Sequence, residues 1–327
     1  MRSNPNSLWL SIWISSLSVI TAAVLTFSSC HRTLPTVAVI PRTCGTLLWE
    51  AEHTGVEREA RGRDVYVYWN APMREDDVHG QITILTRALD RGAKGLIISP
   101  VEELPLRTPI YRAMQHGIPV VVIGTDLGLA PDKTLAYVLN DEHSGGQLAA
   151  RRIGKILQEH GTVAILGISN QLTGTTERAI SVDTTLAEEF PEIHVVFRSL
   201  ALSTVSQEQQ VAEKLLAERS QLDAIVALSE NSTRGAYYAL TEYDKISAVH
   251  LVGFDQNLMV PIRTGGIDAV IMQNTYKMGR AAMKLMDEEM HGGASRGNVV
   301  LEPELVTSDN IDSAPVAEML DLSWFRK

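Results

Sequence analysis

The chain has 327 residues, 45% of them hydrophobic and 21% charged, with 39 acidic side chains against 29 basic ones and a formal net charge of −10. That acidity, with no basic stripe along the chain, argues against a nucleic-acid partner, because a phosphate backbone would be repelled. Its two cysteines, Cys30 and Cys44, are too few for a disulfide framework, so a packed core must hold the fold without covalent staples.

The first element is apolar. No residue from 8 to 27 is charged, Arg2 precedes the run, and Ser28, Ser29 and Cys30 close it. This outline predicts a secretory signal over 1–29. Its ending resembles a bacterial lipoprotein processing site, which makes Cys30 the lipid-bearing residue of a tether over 30–35, although Phe27 stands where an aliphatic residue is usual. The competing reading is an uncleaved anchor, since about 20 apolar residues span a bilayer. Both place the folded part outside the cytoplasm, in the periplasm or cell envelope. For Cys44, just after the first strand, two readings stand: the rim of a site, or a small buried filler.

From residue 36 onward, short runs rich in β-branched residues alternate with helical patterns. Strands are expected at 36–40, 64–69, 95–99, 120–124, 135–139, 162–167, 194–200, 224–229, 249–254 and 269–273. They are apolar at nearly every position, as parallel strands covered on both faces should be. Helices are expected at 78–91, 144–159, 205–218, 231–243 and 277–290; in the first, Ile82, Leu85 and Leu89 share one face. The alternation predicts βαβ units in doubly wound α/β sheets. Ten strands exceed the usual four to six or so of one open sheet, which favours two sheets.

Three segments near the C-terminus then carry a resemblance. LVGFDQN (251–257), VIMQNTYKMG (270–279) and PELVTSDNID (303–312) each read as an apolar strand delivering polar groups to its end. Open α/β sheets bind ligands there. In order and spacing these segments resemble the type I periplasmic sugar-binding proteins, the ribose-binding-like receptors of bacterial ABC importers. The resemblance covers nearly all of 36–312 and implies two Rossmann-like lobes, each a parallel sheet flanked by helices, joined by a three-segment hinge that closes on ligand. Lobe 1 would comprise 36–140 with 275–302, lobe 2 would comprise 141–274 with 303–312, and 313–327 would be a tail.

The same resemblance names candidate ligand contacts. The turn after the first strand carries aromatic residues in the family, and here offers Leu48 and Trp49; a ring face can cover the apolar patch of a pyranose. Trp49 could instead pack its helix onto the sheet. Trp69 ends the second strand at the same edge, with core sealing as the alternative. In the Gly124-Thr125-Asp126 turn, Asp126 either accepts two sugar hydroxyls or caps the turn before Gly128. In TGTTERAIS (173–181), Thr176 stands where relatives often place an arginine, and Arg178 either binds ligand or pairs with Glu177 or Asp183. Ser229 and Glu230 occupy a turn that usually shows Asn-Asp, and could equally be a helix cap with an acid in its first turn. Asp255 and Gln273 each end a strand and match a family contact type for type. Tyr276, Met278 and Gly279 are assigned to hinge and helix packing. Small or weaker groups at Gly45, Gly124, Thr125, Thr176 and Ser229 argue against ribose itself, since each lost hydrogen bond is worth about 1 kcal/mol.

No G-x-S-x-G, P-loop or H-E-x-x-H pattern occurs, and the nine histidines lack metal-ligand spacing, so neither catalysis, cofactor nor metal is expected. The glycine-led segment 145–157 reads as a helix packed closely on its sheet rather than as a phosphate cradle. Repressors of the same fold carry a DNA-binding helix-turn-helix where this chain has its leader. The reading is therefore a monomeric, lipid-anchored solute receptor that hands a sugar or sugar-like ligand to an ABC permease. The alternatives are a sensor subunit for a membrane kinase or chemoreceptor, and a secreted α/β enzyme.

Overall fold

The computed structural model describes residues 34–293 and 298–323; the leader, Cys30 and the lipid expected on it lie outside them. From Pro35 onward the strands form two six-stranded sheets. The first contains Thr36–Ile40 (β1), Tyr66–Trp69 (β2), Gly95–Ile98 (β3), Val120–Ile123 (β4) and Leu135–Asn140 (β5), with Val299–Leu301 (β11) at its edge. The second contains His160–Ile168 (β6), Glu192–Leu200 (β7), Ala224–Ala227 (β8), His250–Gly253 (β9) and Ala269–Met272 (β10), with Glu304–Val306 (β12). The orders are β11-β5-β4-β3-β1-β2 and β12-β10-β9-β8-β6-β7, and every pair is parallel except β10 with β12. The chain crosses between sheets after β5, after β10 and after β11.

Central strands such as VVVI and AIVA are buried at every position because helices cover both faces. On one face of the first sheet, Leu47–Ala60 (α1) and Thr275–Met290 (α9) place Val56, Met278, Met283 and Met286 against Val37, Val39, Ile97 and Val121. On the other, Val78–Asp90 (α2) and Glu103–Gln115 (α3) bring Leu85, Leu106 and Ile110 onto Ile40, Leu96 and Ile98. The second sheet is covered by Glu142–Ile156 (α4) and Thr173–Glu189 (α5) on one side. Val205–Glu218 (α6), Glu230–Glu242 (α7) and Met259–Arg263 (α8) cover the other side. Within the segment expected as a tail, Ala314–Met319 (α10) adds Val316 and Met319 to that second cluster.

Helix starts at the sheet edges are fixed by short polar side chains. Asp141 accepts from the Ser144 amide at 2.8 Å and opens α4, and Asn274 accepts from the Lys277 amide at 3.0 Å and opens α9. Several interhelical contacts require glycine. A Cβ on Gly55 would lie 2.0 Å from the Tyr276 carbonyl oxygen, and one on Gly279 would lie 2.2 Å from that of Glu52, so α1 and α9 touch backbone to backbone. The 145–157 segment packs on its sheet through Ala149, Ala150 and Ile153, and a Cβ on Gly146 would also lie 2.6 Å from the Arg178 carbonyl oxygen, so α4 and α5 touch closely as well.

Three local expectations change. Helix α3 is absent from the sequence reading because ELPLRTPIYRAMQ holds two prolines. Pro105 lies in the first turn, where the amide needs no partner, and Pro109 is carried inside the helix at the loss of one bond. Strand β11 is only VVL, too short to show a period. Trp49, expected just before a helix, lies within the first turn of α1.

Candidate functional site

The C-terminal ends of both sets of parallel strands face a common cavity of about 390 Å³. The first sheet supplies Arg42 beyond β1, Glu102 beyond β3, Gly124 beyond β4 and Asn140 at the end of β5. The second supplies Ser169 beyond β6, Ser229 and Glu230 beyond β8, Gln256 beyond β9 and Gln273 beyond β10. Helix α1 adds Leu48, Trp49 and Glu52, and α5 adds Arg178. Among the described residues, no group of three or more His, Cys, Asp and Glu side chains is placed to hold a metal ion.

Six of the eleven expected contacts lie on this wall: Leu48, Trp49, Arg178, Ser229, Glu230 and Gln273. Trp49 is 6% exposed, donates from Nε1 to Glu75 Oε1 at 3.3 Å and has the Arg42 guanidinium 5.9 Å from its ring centroid. Arg178 pairs with neither Glu177 nor Asp183. It grips both oxygens of Glu142, donates from Nη1 to the Leu228 carbonyl at 2.7 Å, and lies 4.4 Å over the Phe254 ring. Gln273 donates to the same Glu142 carboxylate at 3.0 Å. Ser229 both lines the cavity and caps α7, through the Ser232 amide at 3.2 Å. Met278, assigned to packing, also reaches the wall.

The other five lie off the wall, each with a physical reason. Trp69 stacks on His53 at 4.1 Å and 4°, so its ring seals the first sheet beside α1. Asp126 accepts from the Gly128 amide at 2.7 Å, the turn-capping alternative. Thr176 donates its hydroxyl to the Ser169 carbonyl in the loop before its helix. Asp255 is fully buried beneath the cavity; it accepts from Arg234 and from both the amide and the side chain of Asn257, each at 2.9 Å. Thr125 donates to Glu103 Oε1 at 2.6 Å. Cys44 is exposed in the loop before α1 and is neither buried filler nor on the cavity wall.

Glu103 is a cross-sheet tie. Its Oε1 also accepts from the Thr173 amide at 2.6 Å and the Thr173 hydroxyl at 2.8 Å, joining α3 to α5 across the cavity mouth. A second tie runs from the Leu47 amide to Asn257 Oδ1 at 3.1 Å. Glu103→Ala is expected to loosen the contact between α3 and α5, since charge-assisted bonds are the strong ones. Small-angle scattering of the ligand-free variant should show a larger radius of gyration than wild type; an unchanged profile would show that this contact does not hold the two sheets together.

Electrostatically the wall is crowded with carboxylates. Burial pushes Glu52 up to about 8, opposed by the Ser99 hydroxyl and the nearby Arg42. Glu230 is raised well above the carboxylate range by burial and then by Asp255 and Glu75. Arg42 is lowered by burial despite Glu75 beside it. Sequence reading missed Arg42, Glu52, Glu142, Asn140 and Gln256. Arg42, Asn140 and Gln256 stand within three residues of a strand end, the rule that selected Asp255.

Known proteins show the same architecture. The family described as the periplasmic binding protein domain matches residues 37–294. The ribose import binding protein of Bacillus subtilis strain 168 is 25% identical over 240 residues, 73% of this chain and 76% of that protein. The D-allose-binding periplasmic protein of Escherichia coli strain K12 is 25% identical over 265 residues, 78% and 85% of the two chains. An ABC transporter solute binding protein from Agrobacterium vitis, solved with bound alpha-D-tagatopyranose, shares the fold with a TM-score of 0.80 at 17% identity, covering 87% of this chain and 98% of that one.

Proposed function

Because the chain belongs to the periplasmic binding protein domain family, we propose that it captures a sugar or sugar-like molecule between its two sheets outside the cytoplasm and delivers it to an ABC permease. The observation that carries this reading is the cavity itself. It lies where two open parallel sheets end, joins one indole face to many hydrogen-bonding groups, and has a volume of about 390 Å³. The relatives' names support the class: they are import or periplasmic binding proteins for ribose and allose.

In this reading the lobes are 36–140 with 275–302 and 141–274 with 303–312, and the three crossings between them are the hinge. Trp49 covers the apolar face of the ligand. Arg178, Glu230 and Gln273 take its polar groups, and Asp255 supports them from below through Asn257, which donates to Glu230 at 3.0 Å. Processing at Cys30 would tether the receptor to the membrane by lipid, and the chain would act as a monomer without catalysis.

A thermal-shift panel tests this with the purified protein: aldoses, ketoses, polyols, disaccharides, nucleosides and amino sugars. A ligand at 100 times its Kd should stabilise the fold by about 2.7 kcal/mol. We expect a rise with one ligand class, lost in Trp49→Ala, and recovery of that ligand chemically unchanged. A folded protein that answers to no member of the panel, or that converts the one it binds, would overturn the reading.

A further inference from the structure

We propose that the molecule held in this cavity carries a protonated amine, as an amino sugar or amino polyol does, rather than being a neutral sugar. The inference rests on the receptor reading and deepens it. Its basis is the excess of carboxyl over guanidinium groups on the wall. Six acids line the cavity, Glu52, Glu75, Asp76, Glu102, Glu142 and Glu230, against two arginines, Arg42 and Arg178. Glu142 is consumed by Arg178 in a buried pair, and Asp76 by Arg74, which grips it with two bonds of 2.8 and 2.6 Å. Glu52, Glu75, Glu102 and Glu230 then face Arg42 alone among the wall's cations.

Two of these acids are deeply placed on opposite sides of the cavity. Glu52 on α1 is 1% exposed and Glu230 on α7 is 9% exposed. Among the described residues Glu52 has one long hydrogen bond, from Ser99 Oγ at 3.5 Å, and Glu230 accepts one, from the Asn257 side-chain amide at 3.0 Å. A neutral hydroxyl can donate one hydrogen bond to such a group and brings no charge. An ammonium has three donors and adds a positive charge to those of Arg42 near Glu52 and Arg234 near Glu230, so that a buried carboxyl can give up its proton to bind it.

A separate set of side chains marks where the rest of the ligand is held. Gln256, 2% exposed, has neither amide atom hydrogen-bonded among the described residues. The same is true of both amide atoms of Asn140, 7% exposed, and of the Thr275 hydroxyl, 2% exposed. All three line the cavity. Buried polar groups of this kind need partners. They are neutral donors and acceptors suited to hydroxyls, while the carboxylates are suited to a cation. The Trp49 face accommodates either a C–H patch or a cation.

Isothermal titration of the purified protein with D-glucosamine, D-galactosamine and D-mannosamine, each against its parent hexose, isolates the amine, because each pair differs by one group. At least one amino sugar should bind about tenfold or more tightly than its parent, as a charge-assisted bond requires. Glu230→Gln should shrink that ratio without abolishing folding, checked by thermal melting. A parent hexose that binds as tightly as its amine, or another neutral member of the panel binding while all three amines fail, overturns the inference and leaves the receptor reading standing. Silence across amines and neutral sugars alike overturns both.

Discussion

Replacing Arg178 by methionine is expected to lower the unfolding free energy by about 3–5 kcal/mol, the cost of leaving one partner of a buried ion pair uncompensated. The side chains of Arg178 and Glu142 are 9% and 8% exposed, and the guanidinium makes two of its bonds to that carboxylate. Without it, Glu142 keeps, among the described residues, the Gln273 side-chain amide at 3.0 Å. The Leu228 carbonyl at the end of the second sheet also loses its donor. Because the cost lies in the stranded charge rather than in the lost contact, the double variant Arg178→Met, Glu142→Leu should recover half or more of the loss. Equilibrium urea unfolding of the two single variants, the double and wild type closes the cycle. A single-variant cost under about 1 kcal/mol, or a double that costs the sum of the singles, would show the pair to be solvent-relaxed.

Glu52→Gln should remove a pH dependence of similar size. In the folded protein burial holds the Glu52 carboxyl at about 8 against an ordinary 4.5, so the native state keeps a proton that the unfolded chain has released. Stability from this group is therefore complete below pH 4.5 and is lost as pH rises through about 8. At about 1.4 kcal/mol per pH unit, the loss amounts to roughly 4–5 kcal/mol. Glu230, Glu208 and Glu289 are also raised by burial, Glu289 to about 7, and push in the same direction. Subtracting the variant from wild type isolates Glu52. Urea unfolding of ligand-free protein at pH 5 and pH 9 should show wild type falling further than Glu52→Gln by that amount; parallel profiles would place Glu52 in water.

The fold was legible where burial on both faces leaves a simple mark. The strands of VVVI and AIVA type are apolar without interruption, and no other common element is so short and so uniformly β-branched. Legibility failed where local chemistry conflicts with the element formed, as in α3 with its prolines, or where tertiary pairing alone creates it, as in β11. The site divides along the same line. Trp49, Glu230 and Gln273, which the resemblance names at strand ends and helix starts, do line the cavity. Glu52 escaped because its depth depends on α9 lying against α1, more than 200 residues away in the chain. Asp255 was found for its position and yet serves from behind the wall, since nothing local foretells that Arg234 and Asn257 surround its carboxylate.

The interleaving of the two sheets has a consequence for how the polypeptide acquires its structure. Val37 and Val39 share a core with Val56 of α1 and with Met278, Ala282, Met283 and Met286 of α9, so this face of the first sheet is only partly covered until α9 has been made. The edge strand β11 arrives later still, after every parallel strand of the second sheet. Such long-range closure is slow, because loop entropy must be lost before the contacts form. During synthesis the first sheet therefore stays incomplete until residues 275–301 have been made.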